Sequence, residues 1–450
     1  MSAHGFDPNT YIDAIPGRTV PSGVKVAAMV ATVLGAACFV YGWVTSPVWA
    51  WGAFLVAVVY LMGISQGGVM FGVMLTLTMG RWGRPLKRVA ESFGMFLPVA
   101  YVGLLIFLLG GNGIYPWHEG TISVASPVEL APHSTGAWAT KETWLSLPFF
   151  IGRQAAMVGL LVVLGLLYIR TAWKPDLIRA SQRLGDRSPG WWSLITGGAS
   201  SVSDADLEKA ESNQSTLGVF ITIAYSLVFS FMAFDLIMSL SPWFYTNMFG
   251  GWFFMSSFWL SLCALGIAGL LTRDWLGARS LMRPKVFHDL GKLCLALCMF
   301  WAYTTYAQVL PIWYANMPEE TDFLLVRLYL PEWAWLARTV AVLCFLTPFT
   351  VLVSRGIKKM KWPFIGILSL IMIGLFLERT LGVMPSIWFE DFPVALFAIV
   401  SVGTLIGGLG LFTLVVSTVL SQIPAVPITD EKLETHPWDV HVHSLDAAHH

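Results

Sequence analysis

Ten apolar runs, each about twenty residues or longer and nearly free of charge, divide this 450-residue chain. They cover residues 26–44, 48–78, 89–109, 145–169, 217–240, 249–271, 290–314, 333–353, 363–383 and 392–420. A bilayer core takes about 20 helical residues to cross. No water there can satisfy a free amide, so such runs must form helices with all backbone bonds internal. Charged residues make up only 12% of the chain, against about 25% in a soluble protein. Many of the 21 tryptophans fall near run ends, where an indole can keep its N–H wet. The fold class expected is an all-α integral membrane protein of about ten transmembrane helices. It divides into an N-terminal segment (1–25), a membrane domain (26–420) and a C-terminal tail (421–450).

Charge between the runs sets the orientation. Arg81, Arg84, Lys87 and Arg88 follow the second run, and Arg170, Lys174, Arg179, Arg183 and Arg187 the fourth. Arg273, Arg279, Arg283 and Lys285 follow the sixth, and Arg355, Lys358, Lys359 and Lys361 the eighth. The alternate connections hold Glu119, Glu129, Glu319, Glu320, Asp322, Glu390 and Asp391, with only Lys141 and Arg327 as basic residues. Basic connections stay in the cytoplasm, so both ends are expected inside. The second run is longer than one crossing needs and contains Gly63, Gly67, Gly68 and Gly72, which predicts tilt, a kink or close packing. Residues 171–215 read as a polar loop with a short amphipathic helix at 204–211. The segment 110–143 reads as a Pro-, Gly- and Trp-rich outer loop. The tail after Gln422 has no apolar face and is expected to lie against a partner or stay mobile.

Several function classes drop out. Net charge is zero, so nothing suggests nucleic acid. Cys38, Cys263, Cys294, Cys298 and Cys344 all lie in apolar runs without the further ligands that a metal or iron–sulfur site needs. A haem-binding membrane cytochrome needs pairs of buried histidines. Here only His288 lies near a crossing, so no haem is expected. Gly-rich nucleotide loops and nucleophile elbows are missing too, so a redox cofactor would belong to a partner or be a diffusible quinone.

Ionisable residues inside a crossing are costly and by default mark a pathway or a pair. Asp235, Arg153, Arg338, Glu378 and Arg379 fall toward the outer side and are expected to form one cluster. Arg88, Glu91, His288, Asp289 and Lys292 fall toward the inner side. The hydroxyl-rich stretch Tyr303, Thr304, Thr305, Tyr306 and Gln308 could bridge the two sets, and Ser65 and Gln66 lie near mid-depth. The alternative is static helix glue through Arg153–Asp235 and Glu378–Arg338 pairs.

Two segments carry a family resemblance. FHDLGKLCLALCMFWAYTTYAQVLPIWYANMPEET spans 287–321, and FDLIMSLSPWFYTNMFGGWFF spans 234–254. With the ten-helix plan, they resemble the F subunit of alternative complex III, a bacterial quinol:electron-acceptor oxidoreductase. That subunit is related to the NrfD/polysulfide-reductase membrane subunits. The resemblance implies two four-helix bundles plus flanking helices in the bacterial inner membrane. It also implies an NrfD-like C subunit, an iron–sulfur B subunit and c-type cytochrome subunits as partners, a terminal oxidase beyond them, and a menaquinone-type quinone or a lipid as the ligand. In the family, the helix-five aspartate is often followed by an acidic–Pro–His–Trp sequence. Here Ser241, Pro242, Trp243 and Phe244 stand instead, so no proton-exit role falls on that loop.

Three functions compete. The first is proton passage in a quinol-oxidising complex. Protons would be taken up near Glu91, His288, Asp289 and Lys292, pass Tyr303, and leave through Asp235, Arg153, Glu378 and Arg379. The second is direct quinone binding. The third is secondary transport, which the lack of paired Gly/Pro-broken half-helices in matching halves disfavours.

Overall fold

The computed structural model describes residues 7–118, 143–241, 244–387 and 394–434, and among these there is no strand. Ten helices are long and apolar enough to cross a membrane. They are α1 (Ser22–Thr45), α2 (Pro47–Leu77), α3 (Arg84–Gly110), α4 (Leu147–Arg187), α5 (Asp204–Leu240), α6 (Met248–Thr272), α7 (Pro284–Ala315), α8 (Pro331–Leu352), α9 (Lys361–Ser386) and α10 (Leu396–Ser421). Each falls on one apolar run. Helices α2–α5 form one bundle and α6–α9 a second, with α1 and α10 packed together on the flank.

The glycines of α2 serve close packing rather than a kink. The helix runs unbroken over 31 residues and is buried on all sides. At the seam between the bundles, a Cβ on Gly67 would stand 2.3 Å from the Ser261 Cβ. Ser261 Oγ donates to the Ile64 carbonyl at 2.8 Å. Lipid tails are as apolar as leucine, so membrane helices are held by such close approaches and hydrogen bonds instead of a hydrophobic drive. The α1–α10 crossing is the extreme case. A Cβ on Gly35 would lie 2.3 Å from the Gly407 Cα and 2.7 Å from the Gly403 carbonyl oxygen.

One crossing is broken. Helix α3 stops at Gly94 and resumes at Leu97. Tight turns bridge the gap, Met95 N–H to Ser92 O at 3.2 Å and Phe96 N–H to Phe93 O at 3.0 Å. Pro98 follows and removes a further donor.

Two expectations for the basic end are corrected. Residues 171–215 are not mainly a loop. Helix α4 continues four turns beyond its apolar run, because Ala172, Trp173, Leu177, Ile178 and Ala180 keep a buried stripe at helical spacing. The helix expected at 204–211 is the start of α5 itself, opened by a Ser203–Asp206 capping box. The tail is not without an apolar face either. Ile423, Ala425, Val426 and Ile428 are buried against the chain's own helices. Arg18 clasps this segment through the Leu420 and Ile423 carbonyls at 3.2 and 2.9 Å. Trp192 Nε1 donates to the Gln422 carbonyl at 3.1 Å. The expected features at Glu119, Glu129, Lys141, Pro242, Trp243, Glu390 and Asp391, and in the tail beyond Glu434, lie outside the described residues.

Candidate functional site

Four turns of extra helix on α4 carry Asp176 into the basic end of the first bundle, where it meets α3. Arg88 reaches both Asp176 and Glu91, the latter at 2.5 Å, and Lys87 stands 3.8 Å from Glu91. Trp173 Nε1 donates to Glu91 Oε2 at 2.8 Å. Glu91 Oε1, fully buried, accepts no hydrogen bond from the protein. Asp176 also accepts from the Ile428 and Thr429 amides at 3.2 and 3.0 Å. Arg84 pairs with Asp430. The C-terminal segment therefore closes over this network. Beside it lies a cavity of about 370 Å³, lined by Arg84, Lys87, Arg88, Gln214, Thr429 and Asp430 among others. Fully buried carboxylates persist only when paired, and here each has a cationic partner.

At the other end of the same bundle, Asp235 lies in a π-helical turn, Ala233–Ile237. Such bulges re-aim a side chain out of register with its helix. Asp235 is 1% exposed. It accepts from Arg153 Nε at 2.9 Å, Trp144 Nε1 at 3.1 Å and the Gln154 amide. The Arg153 guanidinium also lies 3.8 Å over the Trp144 ring. Gln154 and Asp176 are 22 residues apart on α4, about 33 Å at the helical rise. That matches the thickness of a bilayer's hydrocarbon core, about 30 Å. The two networks thus stand one membrane apart on a single helix.

The second bundle holds the rest. Glu378 pairs with its neighbour Arg379 and accepts from Trp301 Nε1 at 2.7 Å. Arg379 donates to Ser256 Oγ at 2.7 Å and Ser257 Oγ at 3.1 Å. Glu378 lines a cavity of about 220 Å³ with aromatic walls that include Trp252, Trp301 and Phe323, and with Thr305, Gln308 and Arg327 on its polar side. Arg327 comes from the short helix Pro318–Leu328 and is 5% exposed. It donates to the Leu381 and Gly382 carbonyls at 2.9 and 3.0 Å and to Ser386 Oγ at 2.6 Å. Burial pushes its pKa below the ordinary arginine value, opposed by nearby Asp322.

The single outer cluster expected from the sequence is therefore two. Arg153–Asp235 belongs to the first bundle and Glu378–Arg379 to the second, with no ion pair between them among the described residues. Arg338 points outward from α8, and the Glu378–Arg338 pair does not form, because Arg379 takes that place. Asp289 and Lys292 do pair, at 2.8 Å, but on an outer flank where the Lys292 side chain is 59% exposed. His288 sits there too, with Nδ1 unpartnered by the protein. Tyr303 is 62% exposed and Tyr306 equally so. Tyr303 and Tyr306 thus face out of the molecule, whereas Thr304 is buried and Thr305 and Gln308 face the cavity at Glu378. Asp176, Trp173, Gln154, Tyr168 and Arg327 were missed. Gln154 could have been found as an amide inside an apolar run, next to Arg153. Asp176 could not, because its run of charges reads as a loop.

Cys263, Cys294, Cys298 and Cys344 are buried free thiols. Among the described residues no group of three or more His, Cys, Asp or Glu side chains is placed to hold a metal ion. In comparisons with known proteins, no family model and no curated protein matches the chain.

Proposed function

We propose that this chain is a membrane subunit of a bacterial quinol:electron-acceptor oxidoreductase of the alternative complex III type, and that it carries protons across the membrane beside the subunit that oxidises quinol. The observation that carries the reading is the pair of buried networks at opposite ends of α4, each holding a carboxylate paired with arginine. A carboxylate paired with arginine takes up a proton more readily when the pairing loosens. Proton uptake falls on Glu91 with Arg88 and Asp176, and release on Asp235 with Arg153. Lys292 and Tyr303 leave the route, since their side chains are mostly exposed, and the half-buried His288 and Asp289 stand with Lys292 rather than with Glu91. The partners that the resemblance implies are the NrfD-like C subunit, the iron–sulfur B subunit and c-type cytochromes.

The test starts with the chains that copurify in mild detergent. Multihaem and iron–sulfur chains are expected, and a solitary chain that takes up solute would replace this reading with transport. In vesicles holding the complex, Glu91→Gln and Asp235→Asn are each expected to cut protons moved per electron by at least about half, with quinol oxidation retained. Unchanged coupling in both variants would remove the proton reading.

A specific observation favours a second role, direct quinone binding. The cavity at Glu378 has aromatic walls and a few converging polar groups, as small-molecule sites do. A quinone head would lie against the Trp252 and Trp301 rings and hydrogen-bond to Gln308 or Glu378. A photoreactive quinone analogue is expected to label α7 or α9 peptides, and Gln308→Leu to reduce that labelling. Labelling confined to another chain of the complex would exclude the role.

A further inference from the structure

Between the two networks, one face of α4 runs through Gln154, Val158, Leu161, Gly165, Tyr168, Ala172 and Asp176, all buried. Gly165 is the midpoint, eleven residues from either end, about 16 Å each way. Directly against it lies the Gln66 amide of α2: a Cβ on Gly165 would stand 3.6 Å from Gln66 Oε1 and 3.2 Å from Leu97 Cδ1. Leu97 is the residue at which α3 resumes after its break. Gln66 is fully buried, and neither its Oε1 nor its Nε2 has a hydrogen-bond partner in the protein.

A carboxamide at the middle of a membrane bundle, with both ends unmatched by protein, is a site for water. Buried polar groups are almost always bonded, and water supplies the partner where protein does not. Two more unmatched buried atoms lie on the same bundle face, Glu91 Oε1 toward the basic end and Gln154 Oε1 toward the other. Hydroxyl groups stand along the way. Beside Glu91, Tyr168 OH and Thr76 Oγ1 are bonded at 2.8 Å. A Cβ on Gly72, about 9 Å along α2 from Gln66 at the helical rise, would stand 3.4 Å from Glu91 Cγ and 3.3 Å from the Tyr168 ring. Between Gln66 and Gln154, Tyr101 OH donates to the Ala155 carbonyl at 2.9 Å and lies in the notch at Gly159. The steps along α4 are about 9 Å from Gly165 to Gly159 and about 8 Å from Gly159 to Gln154. Each is a span that two or three waters bridge.

We infer that Gln66 holds a buried water cluster at the break in α3, and that this cluster is the mid-membrane link by which protons pass from Glu91 to the Gln154–Asp235 network. The amide is suited to this. It both donates and accepts, it carries no charge at the costliest depth of the bilayer, and turning it over reverses the polarity of the chain it anchors. The inference rests on the proton-carrying function proposed above, and it adds the middle of the route and its ligand, water or hydronium.

Two measurements test it. The first is electron cryo-microscopy of the protein in lipid, at a resolution that resolves ordered water. Water density within hydrogen-bond distance of the Gln66 amide and of Glu91 Oε1 is expected. A Gln66 amide bonded only to protein, with a dry surround, would overturn the inference whatever the protein's activity. The second is proton movement per electron in vesicles holding the complex. Gln66→Leu, close in volume and unable to bond water, is expected to slow proton movement about tenfold while quinol oxidation persists, and Gln66→Asn to keep much of it. If Glu91→Gln and Asp235→Asn lower coupling but Gln66→Leu does not, the mid-membrane link is wrong and the proton function stands. If none of the three lowers coupling, both fall.

Discussion

Replacing Arg88 by methionine is expected to cost about 3–5 kcal/mol of stability, because it strands two buried carboxylates. Arg88 is the common partner of Glu91 and Asp176, and all three are at most 3% exposed. The two acids do not suffer equally. Asp176 keeps the Ile428 and Thr429 amides and the Thr429 hydroxyl at 2.5 Å. Glu91 keeps Trp173 Nε1 and a distant Lys87. Most of the loss should therefore come from Glu91. Adding Glu91→Leu to Arg88→Met is expected to recover the larger part, since an apolar replacement of both partners removes the uncompensated charge. Thermal unfolding of the detergent-solubilised protein measures this. A single variant as stable as the parent, or a double variant no better than the single, would show that the network does not hold charge as described.

The second large effect is at the α1–α10 crossing. Gly35→Leu would drive a side chain into the backbone of Gly407 and the Gly403 carbonyl. Backbone cannot move aside as a flexible side chain can, so the helices must separate. Helix α1 has little else to hold it, with only 11% of its most apolar window buried. The expected result is detachment of α1 with the two bundles intact. Cys38 reports it, because its Sγ lies 2.6 Å from where a Gly403 Cβ would be. In the parent, Cys38 lies against Gly403 and should react slowly with a membrane-permeant maleimide. In Gly35→Leu its labelling should speed up while the melting of the remainder changes little. Unchanged labelling would mean the helices tolerate the added volume.

The sequence carried the crossings plainly. All ten apolar runs became helices, since inside a bilayer the backbone has no other way to satisfy its amides. It also carried which residues were unusual: Glu91, Arg153, Asp235, Glu378 and Arg379 are all buried and bonded. Their partners were less legible. A soluble helix shows its inner face by alternating apolar and polar residues. Here α2 is apolar all round and buried all round, whereas α1 is equally apolar and mostly exposed. Hydropathy cannot separate those cases. The two tyrosines of the hydroxyl run on α7 misled for the same reason. Tyr303 and Tyr306 sit at the right depth to join two charge sets, but depth follows from sequence position and facing does not.

The basic end failed to read for a different reason. Helix α4 beyond Ile169 and the segment 423–433 are rich in charge and proline, and local rules make them loop and tail. They are ordered by one another. Asp176 accepts the amides of Ile428 and Thr429, and Arg18 clasps the carbonyls of Leu420 and Ile423. Those bonds join residues more than 250 positions apart, so no window along the chain contains them.

By itself, then, the sequence determined the number, length and polarity of the crossings, because transfer from water to hydrocarbon acts on each segment separately. The positive-inside bias adds the expected side of the ends. Tertiary structure decided what meets what. It split the buried charges between two bundles, turned Tyr303 and Tyr306 of α7 outward, folded the tail over Asp176 and set Gln66 against Gly165 at mid-depth. Those outcomes depend on close approach between helices that water and lipid do not distinguish, and only packing selects among them.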